Sequence, residues 1–313
     1  MKRFKNILFV DGSPKSSRAL RRAVDLARRN DSSLKVIEVI EDIPRGIRGR
    51  GKTDYPFDLK DLLVKDSNKR ISALLGKIPK AERVPVENKL VFGTPFIEII
   101  REVLRSNHDL VMMGAEEKGG LGERVFGSTT MHLMRKCPCP LWVIRPGRRK
   151  KFARILAAVA PTERKSDKSD LNETIMTLAN SLARMEKSPL HVVHCWTEPY
   201  EKLIKGQIGT KVAEDIVQDT RNAHKAWMEQ LLERHPPDAL KCYVHLLKGD
   251  PGSLIPKFAR KRGVELVIIG TVSRMGIKGF FIGNTAERIL GEIDCSVMTV
   301  KPKGFVTPVS LDE

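Results

Sequence analysis

The segment DLVMMGAEEKGGLGERVFGSTTMHLMRKCPCPLWVIRP, from Asp109 to Pro146, recurs without a gap as ELVIIGTVSRMGIKGFFIGNTAERILGEIDCSVMTVKP, from Glu265 to Pro302. Gly114 matches Gly270, Gly127 matches Gly283, Cys139 matches Cys295 and Pro146 matches Pro302, all at a constant offset of 156. A fixed-period match of this length means that one folded unit is written twice in tandem. Each copy places glycines between an apolar strand and a helix, where α/β folds hold phosphorylated ligands.

Alternation of apolar strands and amphipathic helices fills the rest of each copy. In the first, strands are expected at Asn6–Asp11, Leu34–Ile40, Glu87–Phe92, Leu110–Met113 and Leu141–Ile144. Leu20, Ala23, Val24 and Ala27 recur at helical spacing, and further helices are expected near 59–75, after Gly93-Thr94-Pro95, and over 128–135. In the second copy, strands are expected at Ile155–Val159, Leu190–Cys195, Cys242–Leu247, Leu266–Ile269 and Ser296–Val300. Helices are expected near 172–183, 212–232, 253–262 and 285–290. Apolar strands alternating with helices require a parallel sheet covered on both faces, and right-handed crossovers restrict each half to a doubly wound topology. The boundary falls at the charged link Gly147 to Lys151, which gives domains of residues 1–147 and 152–303.

A length of 313 residues suits two such domains, each able to bury a core without disulfides or metals. No apolar run approaches the roughly 20 residues that span a bilayer, and the run Ile7 to Val10 is too short for a signal sequence, so a cytoplasmic protein is expected. Five cysteines, odd in number and sparse, suit a reducing compartment. Cys137 and Cys139 form the sole close pair, with neither metal-site nor redox spacing, and read as small buried residues leading into a strand.

The net charge of +18 is unevenly shared: residues 1–150 carry 32 Lys and Arg against 18 Asp and Glu, whereas residues 151–313 carry 24 against 20. The first half therefore holds most of any attraction to polyanions. Its densest stretch, Arg45 to Lys52, contains no aromatic residue for base stacking and reads as a solvated basic loop.

Both halves resemble the universal stress protein family. The resemblance covers nearly the whole chain and rests on ILFVDGSPKSS at the first strand, on Gly93-Thr94-Pro95 with Gly249-Asp250-Pro251, and on the two long glycine segments. It implies two Rossmann-like (adenine nucleotide alpha hydrolase-like) α/β domains. Each would be a five-stranded parallel sheet of order 3-2-1-4-5 with helices on both faces, the fifth strands meeting across a pseudo-twofold axis. Members that bind ATP carry glycine, two residues, glycine, nine residues, then glycine with Ser or Thr. In the first copy that register falls on Gly114, Glu117, Gly127 and Ser128, and in the second on Gly270, Ser273, Gly283 and Asn284.

The physical logic of such a site is plain. Glycine lets backbone N–H groups approach phosphate, the following helix turns its positive end to the same charge, and an acid ending the first strand accepts hydrogen bonds from a base or ribose. The resemblance thus implies Asp11, Ser13, Val39, Gly114, Glu117, Gly127, Ser128 and Thr129 as ligand-binding in the first copy. In the second it implies Gly270, Ser273, Gly283, Asn284 and Thr285. Both copies depart from the pattern. Glu117 brings repulsive charge to the first, with Lys118 and Arg124 nearby to offset it. The second reads Ala158-Val159-Ala160-Pro161 where the first has Val10-Asp11-Gly12-Ser13, so its acid is missing.

His191, His194 and Cys195 (HVVHC) do not make a metal site from one strand, because alternation sends His191 and Cys195 to one face and His194 to the other. His108, His132, His224, His235 and His245 read as isolated residues in helices or turns, and no spacing suggests a catalytic triad. The expectation is a stress-response factor, not an enzyme, that binds a nucleotide-like or partly apolar metabolite, with ATP as the cofactor to test. Occupancy would order the loops 116–124 and 273–281 and alter the surface offered to a protein partner. A ligand-free interaction scaffold and a nucleic-acid or other polyanion binder stand as alternatives, and a homodimer is left open.

Overall fold

The computed structural model describes residues 3–11, 17–41, 59–79, 82–115, 126–145, 151–162, 167–238, 241–271 and 283–311 of the 313-residue chain. Two compact units result. The first contains β1 (Asn6–Asp11), α1 (Ser17–Asn30), β2 (Ser33–Ile40), α2 (Leu59–Gly76), β3 (Val86–Phe92), α3 (Pro95–Ser106), β4 (Leu110–Gly114), α4 (Ser128–Lys136) and β5 (Leu141–Ile144). The second contains β6 (Ile155–Val159), α5 (Asp167–Glu186), β7 (Leu190–Trp196), α6 (Glu201–Gln207), α7 (Thr210–Arg234), β8 (Cys242–Lys248), α8 (Pro251–Arg262), β9 (Leu266–Gly270), α9 (Asn284–Glu292) and β10 (Ser296–Val300).

Within the first unit the strands lie side by side as β3-β2-β1-β4-β5, all parallel. The second unit repeats this as β8-β7-β6-β9-β10. Each is therefore the expected 3-2-1-4-5 sheet. Ile7 stands between Leu34 and Leu110, and Ile155 between Leu190 and Leu266. The offset of 156 thus holds for the second and fourth strands but shrinks to 148 for the first. The eight extra residues of the second copy lie between β6 and β7, where α5 spans 20 residues against 14 in α1.

The central strands are apolar because both their faces are covered. Ile7, Leu8 and Phe9 are fully buried, as are Leu110, Val111 and Met112 beside them. Ile155, Leu156 and Ala157 and their neighbours Leu266, Val267 and Ile268 are equally inaccessible. On α1 the apolar buried residues are Ala19, Leu20, Ala23, Val24, Leu26 and Ala27, a stripe three to four residues apart that turns to the sheet.

Matched residues also begin and end the helices. Gly93 and Gly249 adopt φ of +143° and +135°, a region that side chains avoid, and each is followed by a helix with proline in its first turn. Asn107 and Gly263 close those helices in the left-handed conformation, with φ of 51° and 59°.

One element departs from expectation. The insertion after β7 contains a separate short helix, α6, which buries no residue, and α7 begins at Thr210. With no apolar stripe to detect, α6 carries no periodic signal.

Candidate functional site

Above the C-terminal ends of its strands the first unit gathers most of the residues expected there. Asp11 ends β1, Val39 lies one residue before the end of β2, and Gly114 ends β4. Gly127 caps α4 without a side-chain bond, and Ser128 and Thr129 form its first turn. Ser13 and Glu117 lie outside the described residues, as do Lys118, Arg124, the loop 116–124 and the basic stretch 45–52.

Asp11 is buried, at 3% exposure, and faces the helix α2. Its Oδ2 lies 3.5 Å from Nη2 of Arg70, which also pairs with Glu38 Oε1 at 2.5 Å and, through Nη1, with Asp66 at 3.4 Å. Glu38 is Asp11's partner in register on β2, and Ser67 of α2 donates to its other oxygen. Burial alone would lower the Arg70 pKa, but the hydrogen bond and charge of Glu38, with Asp11 and Asp66, raise it. The acid that the sequence offers to a ligand is thus engaged by a guanidinium of the same chain.

The second unit builds the same place from other groups. There a cavity of about 450 Å³ is lined by Ala160, Pro161 and Thr162 after β6, by His194, Cys195 and Trp196 of β7 and Thr197 after it, by His224 of α7, by Asp250 and Pro251, and by Thr285 of α9. His194 takes the position of Glu38 and Val159 that of Asp11. His194 Nδ1 lies 3.2 Å from the Val159 carbonyl oxygen, and its Nε2 lies 2.8 Å from Nδ1 of His224. The ring of His224 sits 5.7 Å from that of Trp196, and burial holds its pKa below the usual range against the opposing charge of Glu198. Asp250, the N-cap of α8, accepts from Ser253 N at 2.9 Å and pairs with Arg288 at 3.1 Å.

Of the five residues expected here, Thr285 lines the cavity, Gly283 caps α9 and Asn284 opens it. Ser273 and the loop 273–281 lie outside the described residues. Gly270 has a packing explanation: a Cβ there would meet Cδ2 of Leu171 at 2.5 Å, so the missing side chain lets α5 rest on the end of β9.

The histidines correct the expectation of isolation. His245 lies on strand β8, and its Nε2 is 3.0 Å from Nδ1 of His191. His224 meets His194, His132 stacks on Phe96 at 4.3 Å, His235 lies 3.6 Å from Glu173, and His108 lies 3.3 Å from the Asn6 carbonyl. Each partner comes from another element, so separation along the chain hid the pairs. As alternation requires, His191 and His194 contact different elements, β8 with α8 and α7 respectively. Among the described residues no group of three or more His, Cys, Asp or Glu is placed to hold a metal. Cys137 and Cys139 are free thiols 3.6 Å apart, and the bond and charge of Cys137, with burial, push the Cys139 thiol well above its usual range.

Arg70, Trp196, His224 and Asp250 were not anticipated as site residues. One signal was available: the offset of 156 places His194 opposite Glu38 and Asp250 opposite Thr94. Nothing comparable marks Arg70, whose role depends on how α2 is turned.

In each unit, five parallel strands of order 3-2-1-4-5 with a helix N-terminus at their ends define the doubly wound α/β class. The family model for the universal stress protein family matches residues 3–145 and again 152–301. The chain belongs to that family, as a tandem member. It is 29% identical over its full length to universal stress protein E of Salmonella typhi and to that of Escherichia coli K12, covering 99% of each. Its fold is similar to that of a functionally unknown protein from Pseudomonas aeruginosa PAO1, with a TM-score of 0.71 at 21% identity, covering 97% of this chain and 95% of that one. A universal stress protein from Archaeoglobus fulgidus gives a TM-score of 0.61 at 14% identity, covering 95% of this chain and 98% of that one.

Proposed function

We propose that this chain is a cytoplasmic stress-response protein that works by binding, and that its second unit holds a small nucleotide-like phosphorylated ligand. The observation that carries the reading is the cavity of about 450 Å³ above β6, β7 and β8, large enough for a nucleotide. Trp196 and His224 offer ring surface, Thr197 and Thr285 offer hydroxyls, and the N-termini of α8 and α9 offer positive potential for phosphate. ATP is one candidate ligand.

The first unit favours a second role. Its Asp11 is engaged by Arg70, which takes up the acid a ligand would use and supports a place for this unit as a surface for a protein partner.

Mass spectrometry of small molecules released from native protein, with thermal melting in ATP, tests the reading. A phosphorylated compound, or a melting shift that Thr285→Trp abolishes by filling the cavity, is the expected result. An empty protein whose melting ATP leaves unchanged would sink it.

A further inference from the structure

The cavity of the second unit contains a hydrogen-bond relay whose direction is set by a backbone carbonyl. Nδ1 of His194 lies 3.2 Å from the carbonyl oxygen of Val159. A carbonyl only accepts, so that nitrogen carries a proton. In a neutral ring the other nitrogen is then unprotonated, so Nε2 of His194 accepts, and the donor 2.8 Å away is Nδ1 of His224. Neutral His224 therefore has its proton on Nδ1 and a lone pair on Nε2. That Nε2 has no hydrogen-bond partner among the described residues, and His224 is part of the cavity wall.

We infer that His224 determines ligand specificity in this cavity, its Nε2 accepting a hydrogen bond from a ring-edge amine of an amino-bearing heterocycle. In the first unit the acceptor at the end of the first strand is the Asp11 carboxylate. Here Val159 stands in its place, and the relay restores an acceptor without a fixed negative charge. The inference deepens the proposed nucleotide reading and rests on it.

The same relay makes recognition depend on pH. His224 is faced by His194 and Trp196 from β7, by Glu198 beyond that strand, and by Trp227 of its own helix. Across the cavity Asp250 is already tied to Ser253 and Arg288, and Thr285 is uncharged. Burial keeps His224 neutral near pH 7. When it takes a second proton in acid, Nε2 becomes a donor and repels the same amine.

Two probes differing at one ring edge test this: adenosine monophosphate, with a six-amino group, and inosine monophosphate, with an oxo group there. Calorimetry on the full chain at pH 7.5 should show the amino compound binding about five- to tenfold tighter, the worth of one net hydrogen bond. The preference should weaken from pH 7.5 towards acid, and should vanish in His224→Phe, which keeps the ring surface and removes the acceptor. The ¹⁵N shifts of the wild-type imidazoles should place the proton on Nδ1 of both rings at pH 7.5. Equal binding of the two probes, a preference unchanged in His224→Phe, or a proton on Nε2 of neutral His224 would each overturn this inference alone. Binding of neither probe would overturn the nucleotide reading along with it.

Discussion

His224 of α7 bonds to His194 of β7 at 2.8 Å in the second unit, where Arg70 of α2 bonds to Glu38 of β2 at 2.5 Å in the first. Glu38 and His194 hold the same register position against the first strand of their sheets. In both units, then, a helix reaches down to the second strand beside the strand ends. One pair is charged and also engages Asp11. The other joins two imidazole rings and walls a cavity. The two copies have kept one geometry and separated in chemistry.

Arg70→Ala should expose the cost of that charged arrangement. It leaves Asp11, at 3% exposure, and Glu38 side by side without their guanidinium. Breaking a buried pair costs about 3–5 kcal/mol, and the one-third exposure of Arg70 reduces this to about 2 kcal/mol. Urea denaturation at pH 7 measures it. An unchanged midpoint would show that water reaches both carboxylates.

Glu102 gives the first unit a dependence on acid. It is buried on α3, and burial would push its pKa up, yet hydrogen bonds from Lys89, Lys35 and Ser106 and the charge of Lys89 hold it down at about 2. A carboxyl depressed in the folded state stabilises above its unfolded pKa. That contribution, about 3 kcal/mol, is lost as pH falls from about 4.5 towards 2. Glu102→Gln should remove most of the stability difference between pH 6 and pH 2.5 that circular dichroism melting records for the first unit.

His191 should act on the second unit in a higher range. Burial, with the charges of His245, Arg262 and Arg154, lowers its pKa to about 4. Between about 6.5 and 4 the unfolded chain binds the proton more readily, so stability is full above 6.5 and falls as pH drops through that window. His191→Phe keeps a ring against Tyr243 and Phe258 and removes the titration. The fall in the urea midpoint from pH 7 to pH 4.5 should shrink in this variant. A slope as steep as in the parent chain would assign the effect to other groups.

Gly270→Ala should destabilise the second unit by about 1–3 kcal/mol, since its Cβ would overlap Leu171. Leu171→Ala in the same chain should recover part of that loss, because the clash is with this side chain. A double-mutant cycle measures the coupling, and strictly additive losses would place the strain elsewhere.

Much of the fold was readable along the chain. β1, β5, β6 and β10 have the bounds their apolar runs predict, and most other elements differ by a few residues at their ends. Such signals are local: an apolar run, a helical stripe, a glycine before a proline. The short helix α6 escaped because it buries nothing. The site was read less fully. Asp11 ends its strand, Gly127 caps its helix and Thr285 lines the cavity, positions that the local pattern predicts, but Gly270 answers to Leu171 and Asp11 answers to Arg70.

By itself, the sequence determined that this chain is one α/β unit written twice, because the fixed offset of 156 and the alternation of strands and helices lie within each copy, while the order of the strands came from the family resemblance. It also determined that the second copy lacks the first-strand acid. Only the tertiary structure decided what replaced it. Which residue of α2 or α7 meets the second strand depends on how each helix is rotated against its sheet. That rotation comes from the packing of the whole unit, and no local run of residues records it. Arg70 was thereby brought onto Asp11, and His224 onto His194.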